Sequence, residues 1–152
     1  MSSWTENLLT GLAAYLDARG VGQWQATGAY IAPSPPPITL RTLPEAFDRA
    51  YALGSYVEVE EEDADLSDVT VGVQIRSRGT TDPDTVEQLA DAAWDLLHGA
   101  RMLTLGAGSE AVHTSLIYRR STALLGVDRQ GRYERSCNYF VLASRPNSHR
   151  PD

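Results

Sequence analysis

Between Val69 and Gly79 apolar and polar residues alternate, with Val69, Val71, Val73 and Ile75 set against Thr70, Gly72, Gln74 and Arg76. A period of two over that length specifies a half-buried β-strand, one face to a core and the other to water or a partner. The polar face carries Gln74, Arg76 and Arg78. Gly79 and the Thr80-Thr81-Asp82-Pro83 that follows stop the strand and open a helix. The strand is expected at the centre of a sheet, with helices packed on its apolar face.

A helical pattern occurs twice. Leu8, Leu9, Leu12, Ala13 and Leu16 form one apolar stripe. Ser3-Trp4-Thr5-Glu6 ahead of it has the form of a capping box, the Ser3 hydroxyl serving the Glu6 N–H and the Glu6 carboxylate returning to Ser3. Arg19 suits the negative end of the dipole, and Gly20 suits the left-handed position beyond it. These signals predict a helix from Ser3 to Arg19. Val86, Leu89, Ala90, Ala93, Leu96 and Leu97 form the second stripe. Asp82 is its N-cap, Pro83 its first helical residue, and Asp84 and Glu87 add acid near the positive end, with His98 and Gly99 closing it.

Strands fill most of the remainder. Gln23 to Ala32 reads as a strand with a bulge at Gly28, and Pro33 to Pro37 as a stiff extended connector. Ile38 to Arg41 is a short strand. Pro44 to Leu53 fits either a helix or a strand, with the strand favoured before Gly54. Ala111 to Arg120 alternates Val112, Thr114, Leu116 and Tyr118 against His113, Ser115, Ile117 and Arg119. Ala123 to Val127 extends or re-enters the sheet. Asp128-Arg129-Gln130-Gly131 is a turn, and Arg132 to Ala143 returns as a strand. Leu105-Gly106-Ala107-Gly108-Ser109 lacks the Lys-Ser/Thr of a phosphate loop and reads as a plain turn.

At 152 residues and 42% apolar content, one core and one domain are expected, over residues 1–145. Residues 146–152 have no apolar anchor and are expected to be a mobile tail. No apolar run approaches a membrane span, and Met1-Ser2-Ser3-Trp4 has no basic region of the kind that opens a signal peptide. The single Cys137 forms no internal disulfide, which fits a reducing compartment. A formal charge of −7 argues against general affinity for phosphate backbones. There is no lysine, so all 13 basic residues are arginine, planar forks suited to carboxylate partners.

Glu58, Glu60, Glu61, Glu62, Asp63, Asp65 and Asp68 form the densest charge run. Paired carboxylates can bind Ca²⁺, but the spacing is not that of an EF-hand loop and the turn glycine is missing. A solvated loop held open by self-repulsion is the simpler reading. A third reading is an acidic surface facing a channel or a basic partner.

Cys137 and several serines are the candidate nucleophiles, and His98, His113 and His149 the candidate bases. No nucleophile elbow, HExxH, Cys-x-x-Cys or paired-Glu arrangement joins them. Catalysis is therefore the lesser expectation, and no cofactor or metal is implied.

One series of residues carries a resemblance. It runs Gly72-Val73-Gln74-Ile75-Arg76-Ser77-Arg78-Gly79, Asp82-Pro83, and a helix ending in Leu96-Leu97-His98-Gly99. Leu125-Gly126-Val127-Asp128, Gly131-Arg132-Tyr133-Glu134 and Asn138-Tyr139-Phe140 complete it. In that order and spacing the chain is similar to the small neck proteins of long-tailed bacteriophages. Among them it most resembles the tail terminator family, sometimes labelled minor capsid proteins. The resemblance implies an α+β fold, a mostly antiparallel β-sheet with two main helices packed on one face. It also implies a structural virion protein, not an enzyme, assembled in the host cytoplasm. Its partners would be copies of itself in a homohexameric ring, the tail-tube protein, and the head-tail connector or stopper protein. Duplex DNA would pass through the lumen without specific binding, and no membrane would be involved.

Such a ring uses head-to-tail interfaces, one patch meeting a different patch on the neighbour. The expected pairing sets Arg76, Arg78 or Arg119 against Glu58, Glu60, Glu61, Glu62, Asp63 and Asp65. Two alternatives stay open: another neck component, such as a head-completion or stopper protein, or a small soluble enzyme or ligand-binding domain with a closed polar pocket.

Overall fold

The alternating stretch at Val69 is the inner strand of the sheet, as its pattern predicts. The computed structural model describes residues 2–60 and 67–150. In chain order the elements are α1 (Trp4–Ala18), β1 (Gln23–Trp24), β2 (Pro37–Leu40), β3 (Ala50–Glu60), β4 (Asp68–Arg78), α2 (Pro83–Leu97), β5 (Ala100–Arg101), β6 (Thr104–Leu105), a single 3₁₀ turn (Gly108–Glu110), β7 (Val112–Val127) and β8 (Tyr133–Ser144). The sheet order is β1-β2-β3-β4-β8-β7-β5, with β6 also pairing to β7. The β1–β2 and β2–β3 pairs are parallel and all others antiparallel. This is the expected α+β fold.

Both helices cover the same face. Leu8, Leu9, Leu12, Ala13 and Leu16 of α1 join Leu89, Ala90, Ala93 and Leu97 of α2 in one core with Val69, Val71, Val73 and Ile75 of β4 and Cys137, Tyr139 and Val141 of β8. Each large aliphatic side chain buried there contributes about 1.5–3 kcal/mol relative to exposure. Ser3 caps α1, its Oγ accepting from Glu6 N at 3.1 Å. The Glu6 carboxylate does not turn back to Ser3 as the capping-box pattern predicts; it meets Arg41 at 3.1 Å. Asp82 caps α2, accepting from Asp84 N at 3.0 Å. Between β4 and α2, Gly79 sits where a Cβ would lie 2.4 Å from Thr85 Oγ1 and 2.6 Å from Val86 N. Only glycine lets the strand end this close to the helix start.

Four expectations are corrected. The strand at Gln23 stops after Trp24, because Gln25 to Gly28 turn the chain and Tyr30 then donates its hydroxyl proton to the Ile38 carbonyl. Residues 44–49 are neither helix nor strand; β3 begins at Ala50. The start of the acidic run is not loop: Glu58 and Glu60 lie in β3 and Asp68 in β4, drawn into the sheet by pairing across Val71 and Val69. The stretch from Val112 to Val127 is one strand, and its alternation flips at a bulge between Thr114 and Leu116. The flip buries Ile117 and leaves Leu116 and Tyr118 on the other side, since an extra residue reverses the side chains that follow as far as the next bulge.

Candidate assembly interface

The face of the sheet away from the helices is built from alternate residues of β4, β8 and β7. Across it, Gln74 donates to Asn138 Oδ1 at 3.4 Å and Asn138 donates to Ser121 Oγ at 3.0 Å, a polar row spanning three strands. Beside the row, Tyr118 and Phe140 meet edge to face with centroids 5.8 Å apart, and the Arg120 guanidinium sits 5.4 Å from the Phe140 centroid. Gly72 has no side chain because Tyr56 and Val57 lie over it; a Cβ there would come 2.5 Å from Tyr56 Cζ. Tyr56, Val57 and Val59 remain exposed in β3, as do Leu124, Leu125 and Val127 in β7.

The arginines expected at an interface have different surroundings. Arg76 pairs with Glu134 across the β4–β8 ladder. Arg78 is 3% exposed, which corrects the expectation of an outward-facing fork. Its guanidinium donates to the carbonyls of Asp48, Pro44 and Phe47 and so pins the 44–49 loop. Burial, then the neighbouring Arg132 guanidinium, pull Arg78 below the usual arginine range. Arg119 stands on β7 at the α2 side, 5.8 Å from the Trp94 ring centroid, in a cleft with Gln88, Asp91 and Asp95.

Among the acids, Glu58 bonds Arg145, whose guanidinium lies 4.9 Å from the Trp4 centroid. Glu60 is exposed at the end of β3. Glu61, Glu62, Asp63 and Asp65 lie outside the described residues. The structure thus brings Arg76 and Arg78 to partners of their own chain and leaves Arg119 and Glu60 without an ion-pair partner among the described residues.

The candidate catalytic groups are dispersed. His98 Nδ1 accepts from Arg119 N at 3.0 Å, so the neutral ring carries its proton on Nε2, and the ring stacks on Trp94 at 5.1 Å. His113 Nδ1 lies 3.2 Å from Thr104 Oγ1. Cys137 is buried in the core, 3.3 Å from the Thr122 hydroxyl. Among the described residues no group of three His, Cys, Asp or Glu is placed to hold a metal ion, and no helix is long and apolar enough to cross a membrane.

Sequence reading missed the turn at Asp128 as an electrostatic knot. Its carboxylate accepts from Gln130 N and Arg132 N, each at 2.9 Å, and from Arg132 Nε at 2.8 Å. Burial raises the Asp128 pKa, but these bonds outweigh it and hold the carboxyl below the ordinary range. It also missed Arg120 and the apolar tip of β7, for which the run Ala123-Leu124-Leu125-Gly126-Val127 was the available signal.

A sequence-family model described as "Bacteriophage tail terminator protein" matches residues 15–144. The chain belongs to the bacteriophage tail terminator family. Membership makes it a structural protein of the virion tail and neck. No curated protein matches the sequence. Among solved structures, a chain from the "Virion of native gene transfer agent (GTA) particle" superposes with a TM-score of 0.55 at 12% identity, over 71% of this chain and 78% of that one. At that identity the likeness shows the fold. The match takes in the sheet and α2 entire and begins within α1, so the tail terminator signature rests on the layered core just described.

Proposed function

We propose that this tail terminator works as a homohexameric ring that caps the finished tail tube and docks it to the head connector or stopper, making and breaking no covalent bond. The observation that carries the reading is the family match over residues 15–144. Size supports it. A domain of this length has a radius of gyration of about 15 Å, hence a diameter of about 38 Å. Six such bodies in a closed ring leave a hole about one body wide, more than the roughly 20 Å of a DNA duplex. A net charge of −7 lets a duplex pass without sticking. Contact between copies then falls to charged groups with no ion-pair partner among the described residues: half-buried Arg119 against exposed Glu60, with Glu61, Glu62, Asp63 and Asp65 adjoining in sequence.

The test is binding to tube ends. Purified protein is mixed with tail tubes lacking a terminator, and their tips are imaged by electron microscopy. A ring-shaped density at one end of each tube, and an end to further tube growth, are expected. Binding to the head connector with no binding to tube ends would overturn the reading in favour of a stopper or head-completion role.

A further inference from the structure

Among the described residues two stretches of the long strands have an unused edge, and they lie at opposite corners of the sheet. β2 pairs with β3 only from Tyr51 to Leu53, so the outer edge of Ser55 to Glu60 has no strand beside it among the described residues. β5 and β6 pair with β7 only as far as Ile117 and His98 Nδ1 takes the Arg119 N–H, so the outer edge is open from Arg120 to Val127 among the described residues. The first corner is the end of the sheet where Glu60 faces Val69; the second is where Gly126 faces Glu134 and Glu134 faces Arg78. Open edges of this length, with exposed valines, leucines and a tyrosine, are templates for a further strand.

We propose that the β7 edge of one copy pairs with the β3 edge of the next, antiparallel, continuing the sheet from subunit to subunit around the ring. The inference rests on the ring reading above and adds the surfaces and the mode of contact. Direction agrees: β3 runs toward the Glu60 corner and β7 away from that end. Copies related by rotation about an axis near the strand direction therefore meet antiparallel. Charge agrees: Arg119 and Arg120 of the β7 edge come to the end of the neighbouring β3 that carries Glu60. Shape agrees: β2 and β5 block the other half of each edge, so only the staggered register is open.

The stagger has a measurable consequence. The centres of the open halves are offset by about four to five residues, or roughly 15 Å at 3.3 Å per residue. Within a copy they lie three strand spacings apart and the seam adds a fourth, so each copy advances the sheet by about 19 Å. Closing a ring with that offset tilts the strands by about 38°, inside the 35–45° usual for closed barrels. Four long strands from each of six copies, at that tilt, give a wall about 47 Å across between backbones and a hole of about 37 Å after side chains. This agrees with the hole of about 38 Å obtained from domain size alone.

The test uses thiols. Cys137 is buried, so the natural chain is a blank for a short bis-maleimide. Val59→Cys is combined in turn with Ser121→Cys, Ala123→Cys and Leu125→Cys, and linked species are separated under denaturing conditions. At least one combination is expected to give a ladder up to the mass of the ring, and no single variant should give more than dimers. In parallel, Arg119→Glu with Arg120→Glu is expected to abolish the ring while the chain stays folded by circular dichroism, and added Glu60→Arg to restore it. A ring seen by native mass measurement with no ladder in any combination would overturn the edge pairing and leave the ring standing. A natural chain that forms no ring in solution or on tubes would remove both.

Discussion

Tyr51 and Tyr139 are both buried in the core with hydroxyls pushed above the ordinary tyrosine range, burial being the main cause in each. They differ in one bond. Tyr51 donates to the Leu89 carbonyl at 2.7 Å, whereas the Tyr139 hydroxyl has no partner among the described residues. Tyr51→Phe should therefore cost about 1 kcal/mol in urea unfolding, the net worth of a hydrogen bond, and Tyr139→Phe should cost nothing or stabilise. Asp128 gives the pH dependence. Its folded pKa is depressed, so its contribution is fully present above the unfolded carboxyl value of about 4 and is lost as pH falls through the lower folded value. Asp128→Asn should be less stable than the natural chain at neutral pH, and the gap should narrow as acid titrations pass below that window. At this scale the sequence was only partly legible. Alternation assigned Arg78 to a polar face correctly as to side, but could not show that residues 44–49 fold over that end and offer it three carbonyls.

At the scale of elements, legibility follows how local the signal is. α1, α2 and β4 were readable because caps, stripe and alternation sit inside each segment. β3 and β7 were not fully readable, because a bulge or a paired neighbour decides where they bend and end. The 44–49 loop is neither helix nor strand and is held by Arg78 through three carbonyls, with Arg132 pairing to Asp48 at 3.5 Å. Arg78→Ala should cost on the order of 3 kcal/mol, since three loop carbonyls lose a charged donor, and protease should then cut between Pro44 and Arg49. Arg78→Lys should recover only part of this, as a compact ammonium cannot span the three oxygens. Gly79→Ala should cost about 1–3 kcal/mol by pushing the start of α2 off the end of β4, readable as a lowered urea midpoint.

For the whole molecule, the family was legible in a dispersed series of strand and turn residues, and the matched span bears that out. The interface was less so, because alternation shows which residues face outward but not which of them the chain satisfies itself. Arg76 already holds Glu134, so Arg76→Gln should leave assembly unchanged by sedimentation, while Arg119→Gln should weaken it most at low salt. The hairpin made by β7 and β8 holds a further lesson. The paired part of β7, Thr114 to Val127, is longer than its partner Tyr133 to Ala143 of β8, and three register shifts absorb the three extra residues. On a bend, the outer lane is longer than the inner one. A ladder with unequal rails curves, so this hairpin is an arc by residue count alone, and its curvature needs no neighbour to impose it.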